Sequence, residues 1–302
     1  MNLPTMTRAP NWKIITRTFG AFMENDLTTS AAAVSYFSML ALFPLLILLL
    51  SLGSNLIGPE AVEKYIIGQA LQLLPGTHTF VRKNLDSLTN ISPEVIVSCI
   101  AIVLWAASWL FTVIEKALNR IWGTYPRSFL HGRAVNFAVM SLVFALLGVT
   151  ALLVAIASAI RSAAAEIPLR LGPSLSILSD YFWQLIFMAG SLVITVVLFT
   201  IVYKWLPNAA VSLREAVIGA AIAGVMWEVA KYAFAYLIPY FHYDLLYGSI
   251  GAGVALLTWV YLSSVIMLIG AQFTALLHRE HLFKTSHGKT QTEEDVPVAI
   301  SE

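Results

Sequence analysis

Two opposite charges stand three residues apart inside an apolar run, Glu228 and Lys231 in MWEVAKYAFAY, residues 226–236. On a helix, positions i and i+3 share a face, so this carboxylate and ammonium lie close enough to pair. A charge at the centre of a membrane helix costs about 2.5–3.5 kcal/mol on insertion scales. Pairing offsets part of that cost, and so does a wet cavity. Two readings stand side by side. The pair fixes its helix against its neighbours, or it is the polar lining of a substrate or ion path. Tyr232, Tyr236 and Tyr240 follow and mark an interface toward which the Lys231 amine can snorkel.

Other polar and helix-breaking groups sit at membrane depth. Ser263, Ser264 and Gln272 lie in YGSIGAGVALLTWVYLSSVIMLIGAQFTALL, as interhelical hydrogen-bonding groups or as further path lining. Gly248, Gly251 and Gly253 open that run and loosen its start. Pro44, in SMLALFPLLIL, removes a backbone hydrogen bond and predicts a kink that faces protein or a cavity. Gly219 and Ala223, and likewise Ala220 and Gly224, are four apart in VIGAAIAG, a spacing that lets helix backbones approach closely.

Motifs for common enzyme chemistry are missing. The chain holds no HExxH, no spaced Cys/His set, no carboxylate cluster suited to a metal, no GxSxG elbow and no phosphate-binding glycine loop. The single cysteine, Cys99, reads as a small buried hydrophobe. His278, His281 and His287 are close in sequence and read as incidental polar residues at the edge of a tail. No catalytic residue, metal or cofactor is expected, and the chain is not read as an enzyme.

The elements that position these residues follow from composition. Of 302 residues 58% are hydrophobic and 12% charged, with a mean hydropathy of +0.78. One soluble core of this length cannot hide that much apolar surface, so the chain is read as an integral membrane protein. The net charge of +1 gives no footprint for nucleic acid. Six runs of about 20 or more apolar residues, at about 31–54, 95–114, 134–160, 181–203, 216–238 and 249–277, predict six transmembrane helices. The first twenty residues lack the apolar core of a cleavable leader, so the run from Ala31 is read as a permanent span.

With the N-terminus inside, twelve Lys and Arg fall in inside segments and five in outside loops. That bias predicts both termini in the cytoplasm. The fold class is therefore all-α, polytopic, with interfacial amphipathic helices added. Residues 1–10 form a flexible arm. Residues 11–25 form an interfacial helix, with Trp12, Ile15, Phe19 and Phe22 on one stripe. Residues 26–282 form the membrane domain, with an outer helical hairpin at about 55–94. Residues 283–302, poor in apolar groups, are read as a disordered tail.

Several blocks together carry a resemblance. LTTSAAAVSYFSMLALFPLL, ALNRIW, YKWLPN, and AVIGAAIAGVMWEVAKYAFAY running on to YGSIGAGVALLTWVYLSSVIMLIGAQ resemble the YihY/BrkB family of bacterial inner-membrane proteins over about residues 11–280. The resemblance implies six transmembrane helices, cytoplasmic termini and a bacterial plasma-membrane location. It implies no firm biochemical activity. Labels in the family include ribonuclease and virulence factor, and membership has been linked to export of envelope lipid or of solutes. Asp26 matches the family's acidic position before the first span. Tyr203, Pro207 and Asn208 match its tyrosine and Pro-Asn feature after the fourth, which adds Tyr203 and Asn208 to the pathway residues and Pro207 to the hinges. Glu228 and Lys231 match polar positions of span five, and Gly248, Trp259 and Gly270 match the span-six signature. Where the family often has Gly-Ala-Glu, this chain has Gly270-Ala271-Gln272; Gln272 hydrogen-bonds but does not titrate.

The expected function is a transporter or flippase-like exporter of a lipid or amphipathic solute. Its pathway residues are Glu228, Lys231, Gln272, Ser263, Tyr203 and Asn208. The alternative is a non-transporting scaffold for envelope-assembly proteins, and a remote one is the ribonuclease. Expected partners are membrane lipids, with envelope-assembly proteins and a second copy of the chain as open alternatives, and no nucleic acid.

Overall fold

The structure is a computed structural model and describes residues 18, 20–57, 92–166, 173–241 and 243–294. The expected arm at 1–10, most of the interfacial helix at 11–25 and nearly all of the outer hairpin at 55–94 lie outside the described residues. Six long helices follow in order: α1 (Leu27–Ile57), α2 (Pro93–Trp122), α3 (Phe129–Glu166), α4 (Pro173–Trp205), α5 (Leu213–Leu237) and α6 (Gly251–Glu294). Each contains a stretch long and apolar enough to cross a membrane. No strand occurs among the described residues. Hydrocarbon offers backbone groups no partner, so continuous helices satisfy them internally.

Local chemistry sets the helix ends. Pro93 opens α2, where its missing N–H costs nothing. Gly123 closes the helix at φ 66°, and its N–H returns to the Arg120 carbonyl. Ser212 and Glu215 form a reciprocal capping box at the start of α5. Before α1, Asp26 takes φ 49° and accepts a hydrogen bond from the Thr29 hydroxyl at 2.7 Å; a short polar side chain is among the few that tolerate this conformation. Between α5 and α6 the chain breaks into a 3₁₀ turn (Ile238–Phe241), a five-residue helix (Tyr243–Tyr247) and a second 3₁₀ turn (Gly248–Ile250), with Gly248 at φ +57°.

Helix α6 is the hub. It packs against α5 and α1 extensively and against α2 and α4 more lightly, while α1 pairs with α2, and α4 with α5. Helix α3 touches mainly α2 and α4, lightly in both cases. One joint is unusually close. A Cβ added at Gly219 of α5 would sit 1.8 Å from Thr274 Oγ1 of α6, and one at Gly270 would sit 2.5 Å from Ala223 Cβ and 2.6 Å from the Tyr203 hydroxyl. Gly224 turns the other way, toward Val196 and Leu192 of α4. Ala220 and Ala223 are fully buried between these contacts. The small residues of α5 thus serve two neighbours at once, as interfaces between membrane helices favour.

The helix bounds differ from the sequence reading in three places. Helix α2 runs to Trp122 and carries Glu115, Lys116 and Arg120 within it. Helix α6 continues to Glu294, past the residue where an irregular tail was expected to begin. Gly251 and Gly253 lie in the first turn of α6, so among the three glycines only Gly248 marks the break itself. Pro44 lies within α1, whose helix continues through it.

Candidate functional site

Glu228 on α5 is buried, with 6% of its side chain exposed, whereas 34% of the Lys231 side chain is exposed. Lys231 Nζ stands 2.6 Å from Glu228 Oε2. The contact is ionic, for Oε2 receives no hydrogen bond of proper geometry. Ser191 of α4 completes the group. Its hydroxyl donates to Glu228 Oε1 at 2.8 Å and accepts from Lys231 Nζ at 3.3 Å. The amine also lies 5.4 Å from the Tyr232 ring centroid, within range for a cation–π contact. Glu228 is 15 residues into α5, or about 22 Å along the helix. Ser191 is 14 residues before the C-terminus of α4, the end joined to the start of α5, and so about 21 Å from it. The three groups therefore meet at one level deep in the bundle.

On the face of α5 turned to α6 lies an apolar crevice of about 510 Å³, bounded among others by Ala230, Phe234, Leu237, Phe241, Tyr261 and Leu262. Trp259 of α6 packs against Trp227 and Phe234 of α5, at 5.5 and 5.1 Å between ring centroids. Charge on one face and an aromatic, apolar recess on the next give this half of α5 an amphipathic surface.

The other residues singled out from the sequence are not gathered here. Gln272 is fully buried toward the opposite end of the bundle, seven residues before Arg279, where its Oε1 accepts from Asn25 Nδ2 at 3.3 Å. Tyr203 is buried, stacks on Phe199, and donates to the Met267 carbonyl at 2.6 Å. Asn208 is in the α4–α5 connection, where its backbone N–H donates to Asn119 Oδ1 at 2.7 Å and its amide to the Tyr125 carbonyl at 3.0 Å. Pro207, beside it, is buried and offers its carbonyl to Arg127. Ser263 is buried on α6, and its hydroxyl has no partner among the described residues. Only Glu228 and Lys231 of the six proposed pathway residues come together.

A second polar assembly escaped the sequence reading. It occupies the end where α2 meets α3 and α4 meets α5. Glu115 is buried in the last turns of α2, accepts from Asn136 Nδ2 of α3 at 2.7 Å, and stands 3.6 Å from Arg127 Nη1. Arg127 in turn donates to the carbonyls of Leu206 at 2.6 Å and Pro207 at 2.8 Å, just past α4. Arg120 donates to the Asn25 carbonyl, Arg279 to Ile121, and Lys204 to Val211. His278 is no incidental tail residue. Its Nδ1 lies 2.8 Å from Glu215 Oε2, and Trp122 packs edge-on against its ring. These cations, read from the sequence as topology signals, also cap carbonyls at turns and helix C-termini, where they complement the helix dipole. The signal available beforehand was the bare presence of a carboxylate at 115 among cations.

Among the described residues no three His, Cys, Asp or Glu side chains are grouped so as to hold a metal ion.

Comparison with known proteins places the chain. Residues 18–295 match the family described as "Virulence factor BrkB". A UPF0761 membrane protein of Chlorobium phaeobacteroides is 28% identical over 85% of this chain and 55% of its own length. A second, from Alkalilimnicola ehrlichii, is 30% identical over 85% of this chain and 56% of its own length. The chain thus spans about half the length of these two relatives. The Bacillus subtilis protein named "Putative ribonuclease-like protein YfkH" is 29% identical over 86% of this chain and 94% of its own length. No solved structure matches significantly.

Proposed function

We propose, for a chain that belongs to the BrkB family of membrane proteins, a transport function: flippase-like export of a lipid or amphipathic solute across the bacterial inner membrane. The observation that carries this reading is the Glu228–Lys231–Ser191 group, held at depth on two helices with the Lys231 side chain one-third exposed. Buried ionisable groups inside a membrane are costly and mark ion or substrate paths by default. The apolar crevice on the adjoining face of α5 suits the other half of an amphipathic cargo. No ATP-binding loop is present in the sequence, so energy comes from an ion gradient or from a partner protein. Glu228 is the carboxylate placed to respond to such a gradient. Both termini face the cytoplasm in this reading, following the excess of Lys and Arg in the segments on that side.

A ribonuclease reading, prompted by the name of one relative, draws less support. Arg120, Arg127, Arg279 and Lys204 are engaged by main-chain carbonyls, which leaves them poorly placed to line a groove for RNA phosphates.

The test is translocation of fluorescent lipid in vesicles containing only this protein. Movement above that of empty vesicles supports the proposal. Rates equal to those of empty vesicles for both the lipid and entrapped amphipathic solutes, across several gradients and lipid mixtures, remove it.

A further inference from the structure

The charge pattern of the Glu228–Lys231–Ser191 group narrows the class of cargo. Its two charges are equal and opposite and lie 2.6 Å apart. A purely anionic ligand that paired with Lys231 would strand Glu228, whose side chain is nearly fully buried, as a carboxylate without a counter-ion. A purely cationic ligand on Glu228 would take the carboxylate from Lys231, whose one-third exposed amine keeps only the Ser191 and Tyr232 contacts. Breaking a buried pair by removing one partner is strongly unfavourable because an uncompensated charge remains. A ligand carrying both signs avoids the penalty. Its ammonium takes Glu228 while its oxyanion takes Lys231, and every charge keeps a partner.

Three further observations fit such an exchange. Glu228 Oε2 is approached by Lys231 Nζ alone and receives no hydrogen bond of proper geometry, so a ligand ammonium that displaces the amine has no other donor to compete with. Ser191 already donates to one charge and accepts from the other, and its hydroxyl can rotate to serve either ligand group. Gly190, next to Ser191 on α4, is open: a Cβ built there would meet no other helix or remote side chain within 4 Å.

We infer that this site selects a zwitterion, an ammonium and an oxyanion joined in one small head group, by exchange with the Glu228–Lys231 pair. The inference rests on the transport reading for its purpose, but head-group selection is measurable without transport.

The experiment is native mass spectrometry of the full chain released from vesicles of equimolar phosphatidylethanolamine, phosphatidylglycerol and a trimethylammonium lipid. Wild type is expected to retain the zwitterionic lipid about tenfold over either singly charged one, as the loss of one of two matched charge contacts implies. Glu228→Gln should turn the preference to the anionic lipid and Lys231→Met to the cationic one. The reversed pair, Glu228→Lys with Lys231→Glu, should keep the zwitterion. Gly190→Leu fills the open position beside Ser191 without touching a charge and should reduce retention while leaving thermal unfolding unchanged. Displacement of the retained lipid by chain-free glycerophosphoethanolamine would identify the cargo as a soluble zwitterion, and resistance to it would identify a lipid. No head-group preference in wild type, or one unmoved by both single substitutions, overturns the inference. Selection without translocation would leave it standing and remove the transport reading; translocation without selection would do the reverse.

Discussion

The Tyr203 hydroxyl of α4 donates to the main-chain carbonyl of Met267 in α6 at 2.6 Å, from a side chain 1% exposed. This bond sits beside Gly270, whose missing side chain makes room for the hydroxyl. Tyr203, Gly270, Gly219 and Thr274 thus form one joint between α4, α5 and α6. Tyr203→Phe removes the bond and keeps the ring. It should cost about 0.6–1.5 kcal/mol, the range for interhelical and ordinary hydrogen bonds. Tyr203→Ala also empties the site and should cost about 3–5 kcal/mol. Unfolding of the purified protein in mixed micelles checks both, and a Tyr203→Phe variant as stable as wild type would refute the hydrogen bond as a separate contribution.

Glycine substitutions should rank by what a new Cβ meets. At Gly219 it meets Thr274 Oγ1 at 1.8 Å and the Gly270 carbonyl at 3.0 Å, whereas at Gly224 it meets the end of Val196 at 2.9 Å. At Gly148 it meets nothing within 4 Å. Gly219→Ala should therefore destabilise by about 1–3 kcal/mol or more, Gly224→Ala by less, and Gly148→Ala hardly at all. Melting temperatures of the three proteins give the order directly.

Glu115 and Arg127 should behave as a coupled pair. Both are largely buried, at 9% and 13% side-chain exposure, and Arg127 holds the carbonyls after α4. Arg127→Ala alone leaves the carboxylate without its cation and should cost about 3–5 kcal/mol. Adding Glu115→Gln should recover part of the loss. A double-mutant cycle measures the coupling, and strict additivity would show that the two residues do not act together.

The topology has its own test. A fluorescent protein fused after residue 302 should fold and fluoresce, while alkaline phosphatase fused there should stay inactive. The opposite pattern would invert the orientation proposed from the loop charges.

The sequence revealed depth along each helix better than the direction in which each side chain points. Six spans were legible because little besides a membrane helix requires a continuous apolar run long enough for a bilayer. Glu228 and Lys231 were legible because charge stands out against such a run. Ser191 was not, because a lone serine in an apolar helix is ordinary and only the azimuths of α4 and α5 aim it at the pair. Glu115 was hidden for a different reason. It sits beside Lys116 and Arg120, so it read as part of a polar connection, and its partners Asn136 and Arg127 meet it only after the chain turns at Gly123. The sequence alone separates Gln272 from Glu228. Gln272 is seven residues, or about 10 Å, from Arg279 at the end where α5 begins, while Glu228 is about 22 Å from that end.

The most direct test of the central claim is lipid translocation by the Glu228→Gln, Lys231→Met double variant in sealed vesicles, against wild type of equal thermal stability. Wild type should translocate lipid above empty vesicles and the variant should lose about tenfold or more, since the variant keeps the helices but removes both charges that cargo would exchange with. Equal translocation by both proteins would contradict it and leave Glu228 and Lys231 as an ion pair that only holds α5 to α4.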